Sequence, residues 1–233
     1  MLKLSKYLGE GVEAWFTETD VNPFLPQEGD IFDDHVSANL KLQGISADKI
    51  FNIRQVHGGA VLNCDRKEFH ARAEDIPSAD GAVTSLSGVF LAVRTADCLP
   101  VFLYDENRKV IALIHAGWRS TRERICTVAV RRMVESYSSN PRDIKAVFGP
   151  SIHQCCYEVG QDMCMIFPEA MSPRWGKWFL NLQQVNRDHL ISSGIKEENL
   201  VDLNLCTYCN PSFFSYRRQG KEAGRHLSLL RLI

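Results

Sequence analysis

Three short apolar runs between residues 89 and 115 constrain the fold of this chain more than any other feature. They lie in "SGVFLAVRTADCLPVFLYDENRKVIALIHAGW", residues 87–118. A strand that buries one face alternates apolar and polar residues, whereas a nearly continuous apolar run needs cover on both faces. Strands are predicted over 89–95, 99–104 and 109–115, the last two joined by the polar turn "DENRK". With 233 residues and 45% hydrophobic content, one domain spanning 1–233 can supply that cover.

The flanking sequence adds elements of both kinds. Ser120 with Glu123 forms an S-x-x-E capping box that predicts a helix start. Ile125, Val128, Ala129, Met133, Val134 and Tyr137 then recur at helical spacing. "IKAVFGP" reads as a further strand, weaker helices are expected near 160–169 and 184–193, and "FFSYRR" and "RHLSLLRLI" read as closing strands. "DKIFNIRQVHGGAVLNCD" predicts two strands joined in a hairpin at Gly58-Gly59. Residues 17–40, with two prolines and many acids, are weakly patterned and expected at the surface. The fold class is mixed, with helices and strands in one domain.

Several function classes are disfavoured. A formal net charge of −1 gives no basic field, so nucleic acid is not an implied partner. No apolar stretch approaches the roughly 20 residues that span a bilayer, and "MLKLSKYLGEGVEAWF" lacks the h-region of a signal peptide. The expected setting is the cytoplasm, where the eight cysteines stay reduced or bind metal.

His57, Cys98 and His115 share a context, each following an apolar run and preceding Gly or Pro within two residues: "VHGG", "DCLP", "IHAG". Two imidazoles and a thiolate suit zinc, and three ligands with one open position is the pattern of catalytic zinc. The same set suits a single copper, although seven histidines without an H-x-H pair do not house several coppers. A third reading uses Cys98 as a nucleophile activated by His115 or His57. "CTYC" is a lone C-x-x-C, and it, Cys155-Cys156, Cys64, Cys126 and Cys164 read as small core residues. Arg119 beside the helix opening at Ser120, with Arg217, Arg218 and Arg225, offers positive charge for an anion.

"RQVHGG", "ADGAVT", "TADCLPV", "IHAGWR", "GPSIHQCCYEVG", "CT" and "FFSYRR", in this order from about residue 50 to 226, closely resemble the YfiH/YlmD family. That family is also called the laccase-domain or polyphenol-oxidase family. The resemblance implies a four-layer αββα sandwich of mixed sheets, related to the catalytic domain of cytotoxic necrotizing factor. It implies a zinc site at His57, Cys98 and His115. It also implies phosphorolysis of adenosine, inosine, guanosine or methylthioadenosine, with deamination of adenosine. On that reading the partners are purine nucleosides and phosphate. Asp97 and Glu158 are the candidate acids beside family motifs. Arg119, Ser120, Tyr157 and Arg217 are the candidate substrate and phosphate contacts, and Trp118, Tyr157 or Phe214 the candidate stacking partners for the base. The alternatives are a cysteine hydrolase, a copper-dependent phenol oxidase and a non-catalytic zinc-stabilised nucleoside-binding module. One departure stands out: members carry T-R-x-G-G near the N-terminus, whereas "FTETDVNPF" here has neither the arginine nor the glycine pair. If that arginine holds phosphate, its loss weighs against phosphorolysis.

Overall fold

The computed structural model describes residues 1–19, 41, 49–66 and 76–233. Beyond Thr19, the weakly patterned 17–40 segment and the end of "FTETDVNPF" lie outside the described residues. The strands in chain order are β1 (Leu2–Lys3), β2 (Val12–Phe16), β3 (Ile50–Phe51), β4 (Val61–Asn63) and β5 (Gly81–Thr84). The three apolar runs form β6 (Phe90–Thr95), β7 (Leu99–Asp105) and β8 (Val110–Ala116), and then follow β9 (Ile144–Phe148), β10 (Glu158–Val159) and β11 (Met171–Arg174). The last are β12 (Lys177–Leu180), β13 (Leu200–Asp202) and β14 (His226–Leu232).

These strands build two mixed sheets. One has the order β1-β2-β14-β6-β3, the other β13-β9-β7-β8-β5-β4, and a small antiparallel sheet β10-β12-β11 stands apart. Their mixed character comes from the parallel pairs β3–β6, β4–β5 and β13–β9 among otherwise antiparallel neighbours.

The predicted double cover is visible residue by residue. Along β7, Phe102 and Tyr104 face the five-stranded sheet, packing in one cluster with Phe16, Leu91, Val93 and Leu230. Their neighbours Val101 and Leu103 point the other way, into a cluster with Ile125, Ala129 and Met133 of the helix Ile125–Tyr137 and Leu190 of the helix Leu182–Ser192. All seven residues of β7 and of β8 are buried. At about 25 cal/mol per Å2 of apolar surface removed from water, this two-sided burial is the main stabilising term of the sandwich. The outer face of the five-stranded sheet carries a smaller cluster of Ile50, Phe90, Ala92, Leu227 and Leu229. A helical layer over that face is not among the described residues.

Four local expectations are corrected. The segment around Gly58-Gly59 is not a hairpin: β3 belongs to the five-stranded sheet and β4 to the six-stranded one, so the chain crosses between layers there. The capping box is absent, because the helix starts at Trp118 with Gly117 at its N-cap and ends after Arg122. Arg124 then adopts a left-handed conformation (φ 58°) and the longer helix Ile125–Tyr137 begins. Ser120 is buried inside the first of these helices, and Glu123 instead accepts a hydrogen bond from the Gly59 N–H at 2.6 Å. "FFSYRR" is not a strand, since Ser215 caps a short helix, Tyr216–Gln219, by accepting from the Arg218 N–H. The stretch 160–169 forms 3-10 turns, Gln161–Met165 and Pro168–Ala170, where Pro168 interrupts any longer helix. Among the described residues no helix is long and apolar enough to cross a membrane.

Candidate metal centre

The chain passes from the five-stranded to the six-stranded sheet at residues 52–60, between β3 and β4, and again at Ala96–Cys98, between β6 and β7. Both crossings meet the end of β8. His57 lies on the first, Cys98 on the second, and His115 near the end of β8 itself, paired in register with Pro100. The ligand atoms of all three lie within 4.8 Å of one another. The two imidazoles meet edge to face with ring centroids 4.8 Å apart.

Backbone conformation serves this convergence. His57 and Asp97 both have positive φ, 58° and 88°. Side chains other than glycine rarely adopt that region, and the cost of order 1–3 kcal/mol is borne where the surroundings fix the conformation. Gly117 answers a different need. A Cβ there would sit 3.2 Å from Cys98 Sγ and 3.3 Å from His57 Cδ2, so any other residue would press both side chains out of place by a few tenths of an ångström.

Asp80, just before β5, organises the group. It is fully buried. Its Oδ2 accepts from the N–H groups of Val56 and Gly58 at 3.1 and 2.7 Å, and its Oδ1 from the His57 N–H at 2.9 Å. Oδ1 also lies 2.7 Å from His115 Nδ1. Burial alone would raise this carboxyl's pKa, but the hydrogen bonds from His115, Gly58 and Val56 outweigh it and hold the group below its ordinary value. With Nδ1 engaged, His115 has Nε2 left for another partner, as in carboxylate–histidine–metal arrangements. This residue was missed in the sequence; the available signal was an acid standing immediately before a strand-opening glycine in "ADGAVT".

The electrostatics couple the three side chains. Burial pushes the Cys98 thiol up, yet the positive charge and hydrogen bonds of His115 and His57 bring it down to about 6. Burial works against protonating His115, but the Cys98 thiolate and the Asp80 hydrogen bond raise it to about 9. Without a metal, the Cys98 thiolate and the protonated His115 ring therefore favour one another. Two imidazoles and a ready thiolate, converging and braced by a buried carboxylate, are chemically able to hold one transition-metal ion and leave a position for another ligand.

The remaining predicted site residues divide. A cleft of about 510 Å3 is lined by Trp118, Tyr157, Glu158, Gly160, Asp162 and Arg217 among others, none of them one of the three ligands, and Tyr157 links it to the centre by feeling the charge of Cys98. Burial raises the Tyr157 hydroxyl, and the charges of Cys98 and Asp97 add to this against Arg217 and Arg119. Arg119 is exposed and lies over the Trp118 ring at 4.5 Å. Arg217 donates to the Glu158 carbonyl at 2.6 Å. Glu158 pairs with Lys177 at 2.8 Å. Asp97, in contrast, is buried with both oxygens engaged, Oδ1 by Thr207 Oγ1 and Oδ2 by the Arg217 N–H, each at 2.7 Å. That carboxylate ties loops together. Ser120 Oγ is enclosed with no hydrogen-bond partner among the described residues, so it does not front the cleft. Phe214 is buried against His226, so it is not a surface for a base. Arg218 is consumed by the carbonyls of Thr207, Tyr208 and Phe213, and Arg225 by those of Ala223 and Gly224.

Comparison with known proteins sets this geometry in context. The chain is 32% identical over 209 residues to the adenosine deaminase RL5 of an unknown prokaryotic organism, covering 84% of this chain and 79% of that one. It is 32% identical over 189 residues to the purine nucleoside phosphorylase CA_C1699 of Clostridium acetobutylicum, covering 76% and 75%. Among solved structures it superimposes on the hypothetical protein YfiH of Bacillus licheniformis with a TM-score of 0.83 and 28% identity, over 95% of this chain and 93% of that one. The YfiH/YlmD resemblance and the mixed-sheet fold are thus borne out. A family model described as multi-copper polyphenol oxidoreductase laccase matches residues 30–233, and the chain belongs to that family.

Proposed function

We propose that this protein is a zinc-dependent purine nucleoside enzyme. It cleaves adenosine, inosine, guanosine or methylthioadenosine with phosphate to the free base and the sugar 1-phosphate, and it deaminates adenosine. The observation that carries the reading is the convergence of His57, Cys98 and His115, whose Cys98 charge is felt by Tyr157 on the wall of an open cleft. Relatives named for both activities support it. In this reading the three residues hold the zinc, which supplies Lewis acidity when bound.

The chain's own residues do the rest. Asp80 fixes the His115 ring and the turn carrying His57. Arg119 and Arg217 bring positive charge for an anion at the cleft, by their side chains and not through a helix terminus, since the helix Trp118–Arg122 has only five residues. Tyr157 and Trp118 offer flat faces for a base. We assign proton movement to Glu158, on the cleft wall, and a positioning role to Asp97. We further propose a cytoplasmic setting, in keeping with eight free thiols.

A cysteine hydrolase is the second reading, favoured by a Cys98 thiol at about 6 beside a His115 held by Asp80. That is a nucleophile, base and orienting group in series.

One experiment separates them. The four nucleosides are incubated with and without phosphate and the products resolved, while metal is measured on protein purified without added metal. Phosphate-dependent release of free base, with zinc at about one equivalent in the centre and both lost in Cys98→Ala, is the expected result. Base release that disappears in Cys98→Ala while that zinc stays would favour the cysteine reading. Copper in place of zinc, or no turnover of any nucleoside, would overturn the proposal.

A further inference from the structure

Cys155, Cys156, Cys206 and Cys209 come together in a second cluster, separate from the His57 centre and using none of its residues. Their four sulfurs lie within 4.8 Å of one another. Cys209 Sγ lies 3.2 Å from Cys156 Sγ and 3.6 Å from Cys155 Sγ. A tetrahedral ion with Zn–S bonds of about 2.3 Å holds its sulfurs about 3.8 Å apart, so the four thiols stand at the spacing of one enclosed ion. We propose that these four cysteines form a structural zinc site.

The local backbone is built for it. A turn at 153–157, closed by the Cys156 and Tyr157 N–H groups on the His153 carbonyl, projects the adjacent Cys155 and Cys156 from one bend. The "CTYC" turn, closed by Asn210 N–H on the Cys206 carbonyl, supplies the C-x-x-C half-site common to zinc modules. The two turns are held in register by the bridge Ser151–Cys206 and by Thr207 N–H on the Ser151 carbonyl at 2.9 Å. The His153 N–H donates to Cys206 Sγ at 3.5 Å, the contact a thiolate ligand uses to spread its charge.

Packing does not explain these cysteines. Cys64 and Cys126 are fully enclosed in the cores, whereas Cys155 and Cys209 are exposed and Cys156 and Cys206 half-buried. Four free thiols gathered at a surface are a liability unless a ligand occupies them. A set of four sulfurs selects zinc or iron over harder ions, and with no open position the site is structural. Binding ionises four S–H groups and releases four protons to solvent, leaving a net charge of −2 on the zinc and its ligands. Two guanidinium groups flank that charge. Arg174 donates to the Gln154 carbonyl of one turn, and Arg218 to the Thr207 and Tyr208 carbonyls of the other at 2.8 and 2.7 Å.

The consequence reaches the first centre. Thr207, between the two cysteines of "CTYC", donates to Asp97, and Asp97 precedes Cys98 in the chain. An ion that locks this turn holds Asp97, and with it the crossing that carries Cys98.

The test uses full-length Cys98→Ala protein, purified under reductant with no added metal, so that the His57 centre is disabled whatever its function. About one zinc per chain is expected, lost in Cys98→Ala/Cys209→Ser, with the unfolding temperature of Cys98→Ala lowered when a mercurial strips the metal. Should the double variant fail to fold, cobalt(II) substitution of Cys98→Ala gives a second reading: absorption bands of a tetrahedral four-thiolate ion are expected. A metal-free Cys98→Ala protein that takes up no zinc on reconstitution would overturn the proposal. So would iron in place of zinc, or a mass deficit showing that these thiols are paired as disulfides in reductant.

Discussion

Asp80 carries an unusual share of the structure for one side chain. Its two oxygens meet three backbone N–H groups and one imidazole, so the turn bearing His57 and the ring of His115 are fixed by the same carboxylate. Asp80→Asn keeps the size and exchanges one acceptor oxygen for an amide, which cannot accept from every present partner. Removing such a supporting hydrogen bond lowers metal affinity by about 10–100-fold. Competition with a chromophoric chelator measures this, and unchanged affinity in a folded Asp80→Asn protein would show that the carboxylate does not orient the centre. At this scale His57, Cys98 and His115 were legible, because their residue types announce their chemistry. Asp80 was not, since a buried aspartate reads like any turn acid until its partners are known. Cys155 and Cys209 were read as core and stand at the surface, because sequence gives no measure of their exposure.

At the scale of elements, β14 shows how one buried histidine fastens a strand. His226 opens it, with Nδ1 donating to the Thr17 carbonyl at 2.6 Å and Nε2 accepting from the Phe214 N–H at 2.7 Å. The bond accepted at Nε2 requires the neutral ring, whereas Nδ1 donates in either protonation state. Burial, with the charge of Arg218, pushes its pKa down to about 4 against the hydrogen bonds. A histidine depressed on folding contributes stability that is present above its unfolded value near 6.5 and lost as pH falls through about 4. Over that window the unfolded chain binds the extra proton. The unfolding temperature is therefore expected to fall between pH 6.5 and 4, and to fall less in His226→Gln, which retains polar atoms without the titration. A pH dependence identical in the two proteins would remove His226 as its source. The apolar runs of β6, β7 and β8 were legible at this scale, as was the helix Ile125–Tyr137. The supposed hairpin at Gly58-Gly59 was not, because a glycine pair permits a reversal within one sheet and a crossing between two alike. The Asp80 contacts and the separate partners of β3 and β4 select the crossing.

For the whole molecule, the interior of the sandwich is the term that holds the two sheets, and therefore the two crossings, in place. Phe102 lies at its middle, fully buried in the cluster shared by both sheets. Phe102→Ala is expected to cost about 3–5 kcal/mol in chemical denaturation, against less than about 0.5 kcal/mol for Met165→Ala at an exposed position. Equal effects would contradict the two-sided packing of β7. What the sequence determined alone was local: which segments demand cover on both faces, which side chains can ligate a metal, and which family they resemble. Periodicity and residue chemistry act within a few positions, so they suffice for that. Only the tertiary structure decided that both crossings end at β8, that a buried carboxylate braces the imidazole there, and that "CTYC" faces Cys155-Cys156. Those partners lie far apart along the chain, and only the packing of the two sheets brings them within ångströms.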